Sequence, residues 1–526
     1  MASTLSTPAS TSDFTVDPAR VRSLTALIRS TTGETRTTTA PFTGGPLALI
    51  PVSSLDDVDA AFDEARRIQP RWAATSVRQR AAALLRLHDL VLAHQSELMD
   101  LVQLESGKTR KHAYDEVVHL ALTARYYGRR LKHLAAPQRK VGVFPLITQI
   151  SVNHVPKGVV GIISPWNYPL TMAMADGLPA IAAGNVVVHK PDSQSCLTAL
   201  AAVELFREAG FPADVWQVVS GAGSVVGTSI VQQADYICFT GSTATGTGIA
   251  KLAAERLVNY SLELGGKNPM IVLPGADIEK AAEGAVGACF SSAGQLCVSI
   301  ERLYVHDTLY DDFRDAFIRR VQAMSLGATL GWDADMGSLV SASQVETISK
   351  HVENAVANGA TVLAGGRARP DLGPHFYEPT VLEGVTEAAD CFAEETFGPL
   401  VSLYRYDTIE QAVQLANAGE YGLNASIYGP VPVARGIAGR IKAGTVNINE
   451  GFAATFGSID APMGGMRSSG TGRRQGDEGY YRYTETQAVG VQRLLPVSGP
   501  AAIPPRPYAA VLTFLLRVLR RTTTRR

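Results

Sequence analysis

The order of hydrophobic and polar residues predicts helices in the first quarter of the chain. Apolar residues between positions 55 and 133 recur at spacings of three, four and seven, which is the repeat of one helix face. The residues that set this repeat are Val77, Ala81, Leu84, Leu85, Val91 and Leu92. Two further helices are predicted over 96–104 and 113–131, with Gly107 as the break between them.

Short apolar runs after residue 148 predict strands. Residues 149–155 alternate between apolar and polar, as a half-buried strand does. Four mostly apolar runs follow, each ending in polar, Gly or Pro residues: 159–163, 186–188, 215–219 and 236–239. Because apolar helical segments lie between these runs, we expect a parallel α/β sheet whose ligands bind at the carboxyl ends of its strands.

The same alternation restarts after Glu263 and predicts a second α/β domain. A helix is expected over 278–291. The strand-like segments are 269–273, 302–306, 360–364, 401–406, 426–428 and 445–447.

Composition narrows the class of protein. A chain of 526 residues with 46% hydrophobic and 18% charged residues can bury a large core in two to four domains. The net charge of −1 provides no basic field, so we expect no nucleic-acid partner. The five cysteines contain no C-x-x-C pair, which argues against a disulfide framework and against a metal site. Reduced thiols, and an N-terminus without an apolar core, indicate a cytoplasmic protein.

Cys297 and Glu263 are the candidate chemical groups. Each lies in a small, Gly-bearing segment, and together they provide a thiolate that attacks a carbonyl and a carboxylate that activates water. The alternatives are a small core cysteine and an exposed strand-end carboxylate. Asn167 could donate an amide N–H to an oxyanion or could cap the next helix.

Two Gly-bearing turns are candidate nucleotide sites. The segment 221–227, with Gly223 and Gly227, looks like a dinucleotide fingerprint that has one residue too many. The segment 240–246 should open a helix whose N–H groups could hold a pyrophosphate. Lys190 ends the strand between them. Taken alone, the segment 221–227 better suits an ordinary strand–helix turn, and Lys190 better suits a solvated charge. Two Gly-bearing turns in one sheet favour a nucleotide site.

Taken together, the motifs resemble those of the aldehyde dehydrogenase superfamily over about residues 45 to 495. Four segments carry the resemblance, in this order along the chain: Ser164-Pro165-Trp166-Asn167-Tyr168-Pro169, Glu263-Leu264-Gly265-Gly266-Lys267, Gly294-Gln295-Leu296-Cys297 and Glu395-Thr396-Phe397-Gly398-Pro399. Within the superfamily, the chain is most similar to the NADP-preferring succinate-semialdehyde dehydrogenase branch of the actinobacterial type.

The resemblance implies a covalent mechanism. Cys297 attacks the aldehyde, Asn167 and the Cys297 N–H hold the oxyanion, hydride leaves to a nicotinamide, and Glu263 activates water to hydrolyse the thioester. By the same similarity Ser458 contacts substrate. The implied cofactor-binding residues are Ser164, Pro165, Trp166, Lys190, Ser193, Gly223, Gly227, Thr240, Gly241, Ser242, Thr245, Leu264, Glu395 and Phe397. A serine at 193, where NAD-preferring relatives often have Glu, favours NADP over NAD, because a carboxylate would repel a 2′-phosphate.

Departures from the family pattern keep other functions open. Ala175 and Ser291 occupy positions where succinate-semialdehyde enzymes place arginines, so a neutral aliphatic or aromatic aldehyde is an alternative substrate. Arg474 replaces the acid of a Gly-Arg-Glu motif. A dehydrogenase that releases the acyl group to coenzyme A is a further alternative. Glu263 argues against it, because such enzymes usually lack the glutamate that activates water. A non-catalytic, membrane-associated binding protein on the same fold is the alternative of another class.

The resemblance also implies a domain division and a homodimer or homotetramer. The expected parts are an N-terminal extension, 1–45; a Rossmann-like nucleotide-binding domain, 46–136 and 157–265; a catalytic domain, 266–462; a β extension for oligomerisation, 137–156 and 480–498; a return segment, 463–479; and a tail, 499–526. Residues 1–45 are Ser/Thr-rich, and we expect loose order there apart from a short helix near 18–30.

The tail should form a basic amphipathic helix. Pro504 to Pro507 should break the chain, and apolar residues then alternate with Arg517, Arg520, Arg521, Arg525 and Arg526. Its eleven mostly apolar residues are too few to cross a bilayer, which needs about 20. We therefore expect it either to lie on an anionic membrane surface or to dock on a subunit.

Overall fold

The computed structural model describes residues 14–143, 148–493 and 496–520, and these form two compact units. The first unit comprises the described residues up to Leu134 and Pro156–Tyr483, and the second comprises Ala135–Val155 and residues 484–520. Within these ranges no helix is both long and apolar enough to cross a membrane.

Helices and strands alternate along most of the chain. The helices are α1 (Pro18–Thr25), α2 (Leu55–Ala73), α3 (Val77–Ala93), α4 (Gln95–Ser106), α5 (Arg110–Leu134), α6 (Pro169–Met174), α7 (Gly177–Ala183), α8 (Cys196–Glu208), α9 (Thr228–Gln233), α10 (Thr243–Glu255), α11 (Ile278–Phe290), α12 (Tyr310–Gln322), α13 (Ala342–Ala357), α14 (Asp390–Ala393), α15 (Ile409–Ala416), α16 (Val431–Ala438), α17 (Ala453–Phe456), α18 (Gly476–Tyr481) and α19 (Pro505–Leu519). The strands are β1 (Thr35–Thr39), β2 (Pro46–Pro51), β3 (Gln138–Val141), β4 (Thr148–Pro156), β5 (Val159–Ile163), β6 (Val186–Lys190), β7 (Trp216–Val218), β8 (Tyr236–Thr240), β9 (Asn259–Glu263), β10 (Asn268–Val272), β11 (Ile300–His306), β12 (Thr361–Ala364), β13 (Thr380–Glu383), β14 (Leu400–Tyr406), β15 (Asn424–Tyr428), β16 (Thr445–Ile448), β17 (Gly470–Thr471) and β18 (Thr484–Gln492).

A six-stranded sheet in the order β17-β9-β8-β5-β6-β7 occupies the middle of the first unit. Its strands are parallel except for β17, which pairs antiparallel with β9. The four apolar runs form β5 to β8, and all of their residues except Thr240 are buried, as strands covered on both faces by helices require.

A seven-stranded sheet in the order β12-β13-β14-β11-β10-β15-β16 follows. It is parallel except for β12, which pairs antiparallel with β13 at one edge. The predicted second alternation of strands and helices is therefore present, and the predicted α/β fold class is confirmed.

The prediction of loose order in the N-terminal extension is wrong for residues 14–45. Helix α1 is present as expected, but strand β1 pairs with β2 over residues 35–39. Phe14 and Phe42 are buried in a cluster with Leu104 and Phe376, which holds this segment in place. The Ser/Thr composition hid these two aromatic anchors. Residues 1–13 lie outside the described residues.

The second unit contains a three-stranded sheet in the order β18-β4-β3 and the helix α19. Strand β4 confirms the alternating strand predicted over 149–155. The predicted break at 504–507 is wrong, because α19 begins at Pro505 and includes Pro507 in its first turn. Proline is tolerated there because first-turn N–H groups have no partner inside the helix.

Candidate active site

Glu263 is the last residue of β9, at the carboxyl edge of the six-stranded sheet. The glycines that follow it are dictated by close packing. A Cβ on Gly265 would lie 2.2 Å from the Glu395 carboxylate, and one on Gly266 would lie 2.8 Å from the Cys297 carbonyl. The chain therefore passes between two functional segments at a distance that only glycine allows.

Cys297 follows a tight left-handed turn. Ser292, Ala293 and Gly294 have φ of 52°, 55° and 69°, and a Cβ on Gly294 would lie 2.1 Å from the Gly398 carbonyl. Asn268 then donates from Nδ2 to the carbonyls of Cys297 at 2.8 Å and Ser299 at 2.7 Å. These contacts fix the backbone on both sides of the sulfur.

Asn167 is held by a buried ion pair. Lys108 Nζ donates to the Asn167 carbonyl at 2.7 Å and lies 2.6 Å from Glu116 Oε1. Glu116 accepts the first N–H groups of α6 from Leu170 and Thr171. The Asn167 side chain donates from Nδ2 to the Gln295 carbonyl at 3.0 Å, which aims the amide toward the cysteine segment and leaves one N–H for another acceptor.

The segment with Glu395 and Phe397 is fixed by a second buried ion pair. Lys267 Nζ lies 2.5 Å from Glu301 Oε2, and Glu301 Oε1 accepts the N–H groups of Thr396 at 3.1 Å and Phe397 at 3.0 Å. Glu395 accepts the Gly266 N–H at 2.8 Å. The Glu395 segment is therefore tied to the residues just after Glu263.

One cavity of about 260 Å³ brings most of the predicted site residues together. The predicted residues that line it are Pro165, Trp166, Asn167, Thr240, Gly241, Ser242, Glu263, Leu264, Cys297, Glu395 and Phe397. Sequence reasoning missed four further side chains in the lining, namely Tyr168, Met172, Leu296 and Gln344. Trp166 and Phe397 meet edge to face, with ring centroids 5.6 Å apart, and form an aromatic wall.

Burial sets the acid–base properties of this cavity. Burial raises the pKa of Cys297 to about 12, against the opposing effect of Arg474. It raises the pKa of Glu263 to about 7, again opposed by Arg474, and that of Glu395 to about 8. The Cys297 thiol is therefore a weaker acid here than a free cysteine, since the sulfur packs against apolar side chains.

The remaining predicted cofactor residues lie beyond this cavity. The segment Gly223–Gly227 forms a π-helical turn before α9, which accommodates the extra residue of the apparent fingerprint. Thr245 lies in the first turn of α10 and donates its N–H to the hydroxyl of Ser242, a cavity residue, at 3.3 Å. Ser164 donates to or accepts from His189 Nε2 at 2.8 Å, so its hydroxyl faces the sheet.

Lys190 and Ser193 are buried at the end of β6. Lys190 Nζ donates to the Pro191 carbonyl at 3.2 Å. Burial lowers the pKa of Lys190, Asp192 opposes this effect, and Arg36 of β1 lowers the pKa by a smaller amount. Arg36 was missed in the sequence because it lies in the segment expected to be loosely ordered.

A model of the aldehyde dehydrogenase family matches residues 28–489. The chain belongs to this family.

Individual relatives agree with the assignment. A protein of Mycolicibacterium smegmatis named putative succinate-semialdehyde dehydrogenase (NADP(+)) is 49% identical over 506 residues, which cover 96% of this chain and 98% of that protein. The mitochondrial succinate-semialdehyde dehydrogenase of Oryza sativa is 35% identical over 462 residues, 87% of this chain and 86% of that protein.

A solved structure is also similar. The NAD⁺ complex of the aldehyde dehydrogenase from Bacillus cereus superposes with a TM-score of 0.85 at 34% identity, over 91% of this chain and 99% of that one. The predicted family, α/β fold and aldehyde dehydrogenase activity with a nicotinamide cofactor are confirmed.

This aldehyde dehydrogenase has a second cavity, of about 500 Å³, and Tyr168 lines both cavities. Its aromatic lining comprises Tyr168, Tyr428, Phe452, Phe456, His112 and His119. Lys111, Asp115 and Glu450 supply charge, and no arginine is among the described lining residues. Cys297 packs against the apolar cluster that contains Tyr168 and Phe456, so this cavity lies beside the sulfur.

The residues expected to contact substrate are only partly at this cavity. Ser291 lines it, but Ser458 does not. Ser458 is exposed and donates its hydroxyl to the Ala454 carbonyl at 2.6 Å, while its neighbour Gly457 lines the cavity. Ala175 is buried at the end of α6.

Proposed function

We propose that this aldehyde dehydrogenase oxidises succinate semialdehyde to succinate, with NADP preferred over NAD, through an acyl group carried on Cys297. The observation that carries the proposal is the shared cavity of Cys297, Glu263 and Asn167. The printed names of the relatives support the substrate and the cofactor.

The residues fit a nicotinamide dinucleotide. The cavity combines an aromatic wall at Trp166 and Phe397 with the partly buried Glu395 carboxylate, which suits a ring next to a ribose. Ser242 stands at the start of the 13-residue helix α10, where N–H groups favour a phosphate. Lys190, Ser193 and Arg36 would face the adenosine ribose. The two cations suit a 2′-phosphate, although the Asp192 carboxylate also acts on Lys190. When bound, this cofactor supplies the hydride acceptor.

The chain itself forms and breaks the bonds to sulfur. The Cys297 thiol passes its proton through Glu263 to solvent, and its sulfur adds to the aldehyde carbonyl carbon. The free N–H of Asn167 stabilises the oxyanion that forms, an effect worth about 2.7–4 kcal/mol of barrier. After oxidation to a thioester, Glu263 accepts a proton from water, and the water oxygen attacks the acyl carbon. The Cys297 thiolate leaves, and the acid is released.

Lys111 is the best candidate to receive the carboxylate of the substrate. It lies at the start of α5, lines the second cavity, and is half exposed beside Asp335 Oδ1 at 3.2 Å. The aromatic side chains between Lys111 and Tyr168 would pack along a short carbon chain. Lys111 would then replace the arginines that are absent at positions 175 and 291.

A substrate panel tests this function. We expect kcat/KM for succinate semialdehyde to exceed that for butanal and benzaldehyde, read from the absorbance of reduced cofactor. Lys111→Met should raise KM for succinate semialdehyde about tenfold, the effect of one lost charge-assisted hydrogen bond, and leave KM for butanal unchanged. Equal preference for butanal, or equal effects of Lys111→Met on both aldehydes, would favour a neutral aldehyde as substrate.

We also propose roles for the parts of the chain. Residues 46–136 and 157–265 would bind the nucleotide, 266–462 would carry the cysteine, and 463–479 would return to the nucleotide domain. The sheet of β3, β4 and β18, with 137–156 and 480–498 as its expected extent, would pair between subunits of a homodimer or homotetramer. Light scattering that gives one 55.9 kDa chain would exclude this assembly.

For the tail we propose peripheral contact with an anionic membrane in the cytoplasm. The side chains of Val511, Phe514, Leu515 and Val518 on α19 are 44–65% exposed and recur at helical spacing. Residues 504–526 contain six arginines and no acidic residue. An exposed apolar face flanked by arginines is the pattern of helices that lie on anionic lipid. Sedimentation of the protein with lipid vesicles measures this membrane binding.

A further inference from the structure

Arg474 lies next to the proposed general base. Its Nε is 3.8 Å from Glu263 Oε1, and neither atom has a hydrogen-bond partner among the described residues. Both side chains are buried, with 4% and 6% of their surfaces exposed. The Arg474 guanidinium and the Glu263 carboxylate therefore face each other in a buried position. In the family pattern, the residue at the position of Arg474 is an acid.

The Arg474 guanidinium is anchored on its far side. Nη2 lies 3.2 Å from Asp176 Oδ2 and donates to Thr240 Oγ1 at 3.0 Å, and Nη1 lies 2.7 Å from Met172 Sδ. The backbone is fixed too, because Arg474 and Met463 exchange two hydrogen bonds of 2.7 and 2.8 Å. The guanidinium cannot leave Glu263 without breaking these contacts.

The anchor is charged as well as rigid. Asp176 accepts a second cation, Arg482, at 2.5 Å. Burial raises the pKa of Asp176, but Arg474 and Arg482 outweigh it and hold that pKa below its usual value. Asp176 therefore stays ionised and keeps Arg474 in place.

We infer that Arg474 is a positioning residue for Glu263, whose fixed positive charge keeps this buried carboxylate oriented and ionised for attack of water on the acyl-enzyme. The inference rests on the proposed role of Glu263. At this position the family's Gly-Arg-Glu motif has an acidic residue, whereas this chain has a positively charged one with a different role.

The charges around Glu263 give the direction of the effect. Burial raises the pKa of Glu263, and Arg474 is the largest opposing influence. Asp176 raises that pKa, while Arg482 and Arg473 lower it less than Arg474 does. The Cys297 thiol is also a titratable neighbour of Glu263. In the acyl-enzyme this sulfur is part of a thioester and no longer titrates. Loss of Arg474 must therefore raise the pKa of Glu263 and shift hydrolysis of the acyl-enzyme to higher pH.

The experiment isolates that hydrolysis. Cys297 is first acetylated with excess p-nitrophenyl acetate near pH 7, where part of Glu263 is ionised and can accept the thiol proton, and the pH is then lowered to protonate Glu263 and hold the acetyl group. The thioester forms as nitrophenolate leaves, and excess ester is then removed. Loss of the acetyl group after a jump to each pH is followed by intact-protein mass spectrometry. No aldehyde or dinucleotide is needed, so the result is independent of which aldehyde is the substrate.

We expect a midpoint near pH 7 for the native protein, the pKa of Glu263. In Arg474→Gln it should rise by about one unit or more, with hydrolysis at pH 7 slowed about fivefold or more, as loss of a close opposite charge requires. Arg474→Lys should restore the native midpoint. Arg473→Gln is the matched control, because that guanidinium donates to the Gly465 and Gly472 carbonyls, and its midpoint should move less.

An Arg474→Gln profile that superimposes on the native one would overturn the inference. If Arg474→Gln does not fold, Arg474→Lys decides. A native midpoint with the charge retained supports the inference, and a midpoint displaced by about one unit despite that charge contradicts it. Acetylation that persists in Cys297→Ala would instead refute the proposed function.

Discussion

Cys297 depends on its neighbours for reactivity, because the thiol itself is a weak acid in this site. Burial raises its pKa to about 12, so very little thiolate is present at neutral pH. Glu263, with a pKa raised to about 7 by burial, is matched to accept a proton at the pH of the cell. The chemistry therefore rests on the pair of residues rather than on an activated thiol alone.

Ser193 is the residue at which cofactor preference can be tested. It is buried beside Lys190, so a glutamate there would place a carboxylate against a 2′-phosphate. We expect Ser193→Glu to lower the ratio of kcat/KM for NADP to that for NAD by about tenfold or more, since like charges about 4 Å apart repel by about 1–4 kcal/mol. Ser193→Ala, which keeps the space, should leave the ratio near that of the native protein. An unchanged ratio in Ser193→Glu would refute this assignment.

The sequence was sufficient to propose Cys297, Glu263 and Asn167, because each lies in a motif whose spacing is local. It was not sufficient for the residues that hold them. Asp176 and Arg474 are 298 positions apart, and Gln344 approaches the cavity from α13 with no motif around it. Such contacts depend on which strand ends the fold brings together, and no local pattern encodes that.

At the scale of elements, periodicity predicted the strands well and the turns poorly. Strands β5 to β8 begin and end within two residues of the apolar runs, because a strand buried on both faces must be continuously apolar. The turn at 221–227 is not predictable from the sequence, since a π-helical turn has no sequence signature of its own. Composition fails for the N-terminal segment because two buried aromatic residues outweigh its polar residues.

Helix α19 is the element whose role is most easily tested. We expect the full chain to sediment with phosphatidylcholine vesicles only when they contain phosphatidylserine, and less so at high salt, because each arginine near an anionic surface contributes about 1 kcal/mol. A chain ending at residue 503 should not sediment. Phe514→Asp should weaken binding while all six arginines remain.

The full chain and the chain ending at residue 503 also distinguish membrane binding by α19 from docking of α19 on a second subunit. Light scattering should give one oligomeric state for the full and shortened chains. If shortening lowers the number of subunits, α19 docks on a second copy. Equal sedimentation of both chains would contradict a membrane role for the tail.

At the scale of the molecule, the first unit places two parallel sheets so that their functional segments share one cavity. Glu263 ends β9 of the six-stranded sheet, while Cys297 precedes β11 of the seven-stranded sheet. Buried ion pairs, Lys108 with Glu116 and Lys267 with Glu301, fix the segments between them. Removing one partner of such a pair typically costs about 3–5 kcal/mol, because it leaves an uncompensated buried charge.

The central claim is that the acyl group is carried by Cys297 and released by Glu263, and intact-protein mass spectrometry tests it most directly. Glu263→Gln is mixed with succinate semialdehyde and NADP at pH 9, where hydroxide assists ionisation of the thiol. We predict one equivalent of reduced cofactor and a protein heavier by one succinyl group on Cys297, because loss of a general base slows hydrolysis about 10²–10⁴-fold. Turnover that continues at the native rate without an adduct, or reduced cofactor formed by Cys297→Ala, would contradict the account.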